Sequence, residues 1–144
     1  MTLLIGLGCD HVGFGMKARV IDHLRARGAD ITDHGCGDAT PVDYPGYAMS
    51  VARAVAAGEV ARGIVICGSG VGVSIAANRI RGARAANATD ETLVRLARSH
   101  NDINVLCIGA ELVGFWMARA CIDAFLDTPF EGGRHIPRVS QLDQ

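Results

Sequence analysis

The run from Gly63 to Asn78, GIVICGSGVGVSIAAN, sets most of what this chain can become. Gly63 to Ile66 reads as a short buried strand. Cys67 follows, then the loop Gly68-Ser69-Gly70-Val71-Gly72, then an apolar helical run through Ala77. A strand, a glycine loop and a helix in direct succession make a binding device. The glycines let the backbone approach a ligand, and the helix start offers free N–H groups. The thiol at the strand end adds chemistry to binding. The loop reads GxGxG, without the final spacing of the dinucleotide pattern GxGxxG, and it follows the third strand rather than the first. It also lacks the lysine of a phosphate-binding nucleotide loop, so nucleotide binding is disfavoured.

The same alternation runs along the whole chain. Leu3 to Gly8 reads as a first strand, followed by Cys9-Asp10-His11. Phe14 to Arg27 has a helical stripe of Val20, Ile21 and Leu24, stopped by Gly28. Ala29 to Asp33 is a second strand. His34 to Tyr44 is a polar loop, with Pro41 and Pro45 as breakers. Tyr47 to Ala57 is an alanine-rich helix ending at Gly58. Beyond the central device, Ala83 to Ala88 makes a fourth strand, and Thr89 or Asp90 caps a helix over Glu91 to Ser99. His100-Asn101-Asp102 breaks that helix, Asn104 to Gly109 is the fifth strand, and Phe115 to Leu126 is the last helix. The strands are continuously apolar, which suits a parallel sheet covered on both faces. The expected fold is a single-domain α/β Rossmann-like three-layer sandwich over residues 1–144, with a five-stranded parallel sheet. Ligands of such sheets sit outside the carboxyl ends of the strands.

Composition narrows the function classes. A net charge of -1 favours neither nucleic acid nor an anionic membrane as partner. No apolar run reaches a membrane span, and the N-terminus has no basic leader, so the expectation is a cytoplasmic protein. The five cysteines are Cys9, Cys36, Cys67, Cys107 and Cys121, widely spaced and without CxxC. That argues against a disulfide scaffold and against a thiolate zinc site. Lys17 is the only lysine. The basic set is otherwise arginine, whose planar fork suits carboxylate or phosphate.

Each candidate residue has a structural and a functional reading. Cys67 is either a small buried hydrophobe or a thiol facing loop amides that stabilise a thiolate. The other four cysteines read as structural. Asp10-His11 is either a turn or a pair in the same cleft as Cys67, with the carboxylate holding sugar hydroxyls and the imidazole binding an anion or moving a proton. Ser69 either satisfies its own loop or donates to a developing oxyanion. His100 ends a helix, where a protonated imidazole is favoured. Gly132-Gly133-Arg134-His135 with Arg138 is either a solvated tail or a phosphate clamp anchored on a neighbouring subunit.

Several longer motifs occur together: GCDHVGF from Gly8, DYP from Asp43, GIVICGSGVGVSIAAN from Gly63, SHNDINVL from Ser99 and FEGGRHIPRV from Phe130. In these the chain closely resembles the type B ribose-5-phosphate isomerases, a family that also holds allose-6-phosphate and galactose-6-phosphate isomerases. The resemblance covers nearly the whole chain. It implies aldose–ketose interconversion of a phosphorylated monosaccharide, without metal or cofactor, in a homodimer or tetramer with active sites shared between subunits. By resemblance, Cys67 is the base that shuttles the proton. Some relatives use a glutamate further along the loop, but the matching position here, near Val73, is not acidic. Ser69 and the Gly68 to Gly72 loop, with the amides of Gly70, Val71 and Gly72, resemble the anion hole. His100, assisted by Asp10, resembles the ring-opening residue. His11, Arg134 and Arg138 resemble phosphate ligands, with the arginines and the tail 129–144 reaching a partner subunit. Tyr44 and Asn101 resemble substrate-cleft residues.

Two departures bear on the substrate. Many relatives carry a Gly-x-Arg after NVL, whereas this chain has Gly109-Ala110-Glu111. A carboxylate there repels phosphate, or pairs with Arg134 or Arg138. Asn87-Ala88-Thr89-Asp90 also differs from the usual segment. The leading expectation is an isomerase of the ribose 5-phosphate/ribulose 5-phosphate type working through an enediol. The alternatives are a tetrose or hexose phosphate isomerase of the same mechanism, and a non-catalytic sugar-phosphate-binding subunit of a hetero-oligomer.

Overall fold

The structure is a computed structural model that describes residues 2–144. Five parallel strands form one sheet: β1 (Leu4–Cys9), β2 (Asp30–Asp33), β3 (Arg62–Cys67), β4 (Ala85–Asn87) and β5 (Val105–Gly109). Their spatial order is β2-β1-β3-β5-β4. Helices α1 (Phe14–Ala26), α2 (Tyr44–Ala56), α3 (Val71–Ala77), α4 (Glu91–Asn101) and α5 (Phe115–Asp127) connect or follow the strands. No helix is long and apolar enough to cross a membrane.

Strand side chains alternate between the two faces, and both faces are apolar. Ile64 and Ile66 of β3 join Leu106 and Ile108 of β5 in a core shared with Val20 and Leu24 of α1, Val94 of α4, and Ile122 and Phe125 of α5. Val65, Cys67, Val105 and Cys107 point the other way, against Val51 and Val55 of α2 and Val73 and Ala77 of α3. The expected three-layer α/β sandwich is therefore what forms. Cys67 faces the layer that contains α3, the helix its own loop begins.

The boundaries differ from the sequence reading in four places, each for a local reason. α2 starts at Tyr44 rather than Tyr47, because Pro45 lies in its first turn, where the missing N–H is no loss. α4 runs on through His100 and Asn101, and the expected break comes at Asp102, which adopts the left-handed conformation at φ 48°. β4 is only Ala85–Asn87, since edge-strand pairing to β5 stops there. The tail, to which the sequence reading gave no element, is structured. It holds a 3₁₀ turn, Gly133–His135, and a short helix α6 (Ile136–Leu142). Of the two possible caps, Asp90 is the one used: the Leu93 N–H donates to its carboxylate at 2.9 Å.

The tail is anchored on its own chain. His135 and Val139 are buried, the Glu131 N–H donates to Ser99 O at 3.0 Å, and Arg84 pairs with Asp143 at 2.9 Å. All five cysteines are free and buried. Burial first, and Cys36 second, push the Cys9 thiol up to about 12. Burial, then Asp90 and Glu91, push Cys121 up to about 11. Burial, then Cys67, also pushes the Cys107 thiol up. These three are neutral packing groups at ordinary pH.

Candidate active site

Cys67 is the last residue of β3 and 4% exposed. The chain then turns so sharply that the Gly70 N–H comes back to donate to Cys67 Sγ at 3.0 Å. Gly70 makes the turn possible with φ +80°, a conformation costly for residues with a Cβ. Ser69 Oγ accepts from the Val71 N–H at 3.2 Å, which leaves its hydroxyl hydrogen to donate outward. Among the described residues the Gly72 N–H has no partner, so it is available to a ligand. Gly72 also has no room for a side chain. A Cβ there would lie 2.6 Å from the Tyr44 hydroxyl, so the start of α2 delivers Tyr44 onto the loop.

The turn after β1 closes the other side. Asp10, 6% exposed, donates its N–H to Ile66 O at 3.1 Å, beside Cys67. Its carboxylate accepts from the Gly13 N–H at 2.9 Å, which fixes one oxygen. His11 Nδ1 accepts from the Val42 N–H at 3.1 Å. Asp10, His11, Tyr44, Cys67, Gly68, Ser69, Gly70, Val71 and Gly72 thus gather at the carboxyl ends of β1 and β3, the place this topology offers to ligands.

Two residues that the sequence marks only as departures bearing on the substrate make contacts with the loop itself. Asn87 Nδ2 donates to Ser69 O at 3.2 Å, and a Cβ at Gly70 would strike its side-chain oxygen. The available signal was its place at the carboxyl end of β4. Glu111 N–H donates to Gly68 O at 3.0 Å, and its Oε2 lies 3.5 Å from the position of a Gly68 Cβ. Glu111 therefore leans on the loop. Within the chain it makes no ion pair with Arg134 or Arg138 among the described residues.

The remaining expected residues lie elsewhere. α4 starts at the carboxyl end of β4 and ends where β5 begins, so His100 and Asn101 sit at the amino ends of the strands. Cys67 lies opposite Gly109, the far end of β5. That end-to-end length is about 13 Å of strand. A single copy therefore does not bring His100 to Asp10 or to Cys67. His100 instead stacks on His135, with centroids 4.5 Å apart and planes 15° apart. Glu131 Oε2 lies 3.5 Å from His135 Nε2 and 4.0 Å from His100 Nε2. Arg134 and Arg138 are exposed nearby on the tail.

Comparison with known proteins agrees with both fold and motifs. A family model described as Ribose/Galactose Isomerase matches residues 5–142. Ribose-5-phosphate isomerase B of Escherichia coli K12 is 48% identical over 138 residues, covering 96% of this chain and 93% of that protein. The D-erythrulose-4-phosphate isomerase of Pectobacterium atrosepticum is 35% identical over 97% of this chain and 93% of that one. The solved structure of ribose-5-phosphate isomerase B from Clostridium thermocellum superposes with a TM-score of 0.96 at 44% identity, covering 98% of this chain and 95% of that one. The chain belongs to the ribose/galactose isomerase family, and isomerase activity is the general function that membership supports.

Proposed function

We propose that this protein interconverts an aldose phosphate and a ketose phosphate of the ribose 5-phosphate/ribulose 5-phosphate type, through an enediol and with protein groups alone. The observation that carries the reading is the 3.0 Å hydrogen bond from the Gly70 N–H to Cys67 Sγ. A donor aimed at sulfur supports the thiolate, and the thiolate is the base. Cys67 takes the proton from C2 of the open-chain aldose. The C2–H bonding pair forms the C1–C2 double bond, and the carbonyl π pair moves onto O1. The hydroxyl proton passes from O2 to O1, and Cys67 returns its proton to C1. One residue on one face serves both transfers. The enediolate charge is met by the Ser69 hydroxyl and the Gly72 amide.

The other roles belong to the same reading. The second carboxylate oxygen of Asp10 holds sugar hydroxyls. Tyr44 lines the cleft, and His11 donates to phosphate from Nε2. His100, Asn101, Arg134 and Arg138 reach the thiol only from a second copy, so the working unit is an oligomer with a shared site. There His100 opens the sugar ring, Asn101 holds the substrate, and the arginines bind phosphate as planar forks. Residues 129–144, anchored on their own chain, present these arginines to the neighbour.

A second reading keeps the mechanism and shortens the sugar. Glu111 beside Gly68 brings a negative charge to the loop, and one relative of similar length is named for a four-carbon substrate. Proton NMR in deuterated water decides between them, using four-, five- and six-carbon sugar phosphates and the free sugars. Deuterium entering beside the carbonyl of one phosphate, with product formation, identifies reaction and carbon number together. Reaction of free sugars alone would remove the phosphate clamp. Silence across the panel would make the chain a non-catalytic binding subunit.

A further inference from the structure

The cluster at the amino ends of the strands contains more chemistry than ring opening uses. His135 is only 6% exposed, and its Nε2 has no hydrogen-bond partner among the described residues. Burying an imidazole nitrogen unpaired is costly, so the group calls for a ligand. Glu131 Oε2 lies 3.5 Å away, and His100 Nε2 lies 4.0 Å from the same oxygen. One donor atom from each of the three residues falls within 4.8 Å of the others.

We propose that His100, Glu131 and His135 bind one divalent transition-metal ion of the zinc, cobalt or nickel class. Two imidazole nitrogens and one carboxylate suit such borderline ions, whereas magnesium and calcium prefer oxygen donors throughout. With metal–ligand distances near ~2.1 Å, tetrahedral donors stand about 3.4 Å apart. One of the measured separations is already close to that, and the triangle closes by movement of two side chains. His135 is held by burial. His100 and Glu131 have 37% and 56% of their side chains accessible, so they make the adjustment. The His100 ring turns out of its stack so that its lone pair converges with that of His135, and water completes the coordination. The ion occupies the His100 nitrogen. On the reading that this nitrogen opens the sugar ring, the metal is an inhibitor of cyclic substrates and not a participant in the isomerisation.

Titration of the full, tag-free chain with cobalt(II) tests the site without reference to activity. The expected result is a one-to-one visible d–d spectrum, without a thiolate charge-transfer band, displaced by zinc. Glu131→Gln changes an exposed side chain and should weaken binding about tenfold or more. His135→Ala should do the same, and Cys67→Ser should leave the spectrum unchanged. No spectrum at millimolar cobalt, or one indifferent to Glu131→Gln, overturns the site. Zinc should then slow turnover of a cyclic phosphosugar in the wild type, reversibly with chelator, and much less so in Glu131→Gln. Tight binding with undiminished turnover would overturn the inhibitory role while leaving the isomerase reading intact.

Discussion

The two ends of the sheet are built on opposite plans. At the carboxyl ends, most groups near Cys67 are tied to a neighbour, and the Gly72 N–H is left for a ligand. Gly70 holds the sulfur, Asn87 holds Ser69 O, Gly13 holds Asp10 and Val42 holds His11. At the amino ends, Arg134 and Arg138 project from a tail turn and a short helix, and His135 keeps an unpaired buried nitrogen. On the proposed function, one end is preorganised for reaction, and the other is prepared to meet something outside its own chain. Preorganised donors suit charge that develops in a transition state. Long, unpaired side chains suit a partner that supplies the rest of the enclosure.

The largest effect should come from the finished end. Cys67→Ala should slow deuterium exchange at the carbon beside the carbonyl by ~10²–10⁴-fold while substrate binding persists. Turnover near the wild-type rate would remove Cys67 as the base. At the other end, His100→Asn should slow cyclic substrates by about 10²-fold and open-chain ones far less. Equal losses on both would deny it a ring-opening role. The contrast between the ends is sharpest in a mixing experiment. Cys67→Ala and Arg134→Ala chains, each nearly inactive, should recover about a quarter of wild-type activity when reassembled in equal amounts. Half the dimers are then mixed, and each mixed dimer holds one intact site. Absence of recovery would place Arg134 outside any shared site. The smallest effect is on stability. Gly70→Ala should cost about 1–2 kcal/mol in a denaturant titration for its left-handed backbone. It should also lower kcat, because the new methyl strikes the Asn87 amide. A stable, fully active variant would show that the loop is not held as tightly as its bonds imply.

What could be read in advance follows the same division. The Cys67 loop was legible because strand, thiol, glycines and helix are consecutive, so local rules place them. Asp10 and His11 were legible because strand ends in a parallel sheet converge. His100 was legible as a candidate, but its place in the fold was not. Helices between parallel strands return to the amino ends, and that geometry sends His100 away from Asp10. Asn87 was visible only as a strand-end residue, since its bond to Ser69 O crosses from β4 to the β3 loop. The tail helix does not show in its mixed polar and basic run, because what holds it is the long-range burial of His135 and Val139. Tyr44 reads as loop because Pro45 reads as a breaker, although proline is at home in a first turn.

The bond between Val42 and His11 reaches beyond its own few atoms. A backbone amide can only donate, so the ring nitrogen it touches must present a lone pair, and the hydrogen belongs on the outward nitrogen. A loop residue with no reactive side chain thereby sets the polarity that the ring shows to its visitor. Were the segment before α2 to shift and that contact to break, the same imidazole could turn a lone pair outward. An anion at the proposed phosphate site would then meet a lone pair in place of a donor. The discrimination attributed to a histidine is in this way written partly by the backbone behind it.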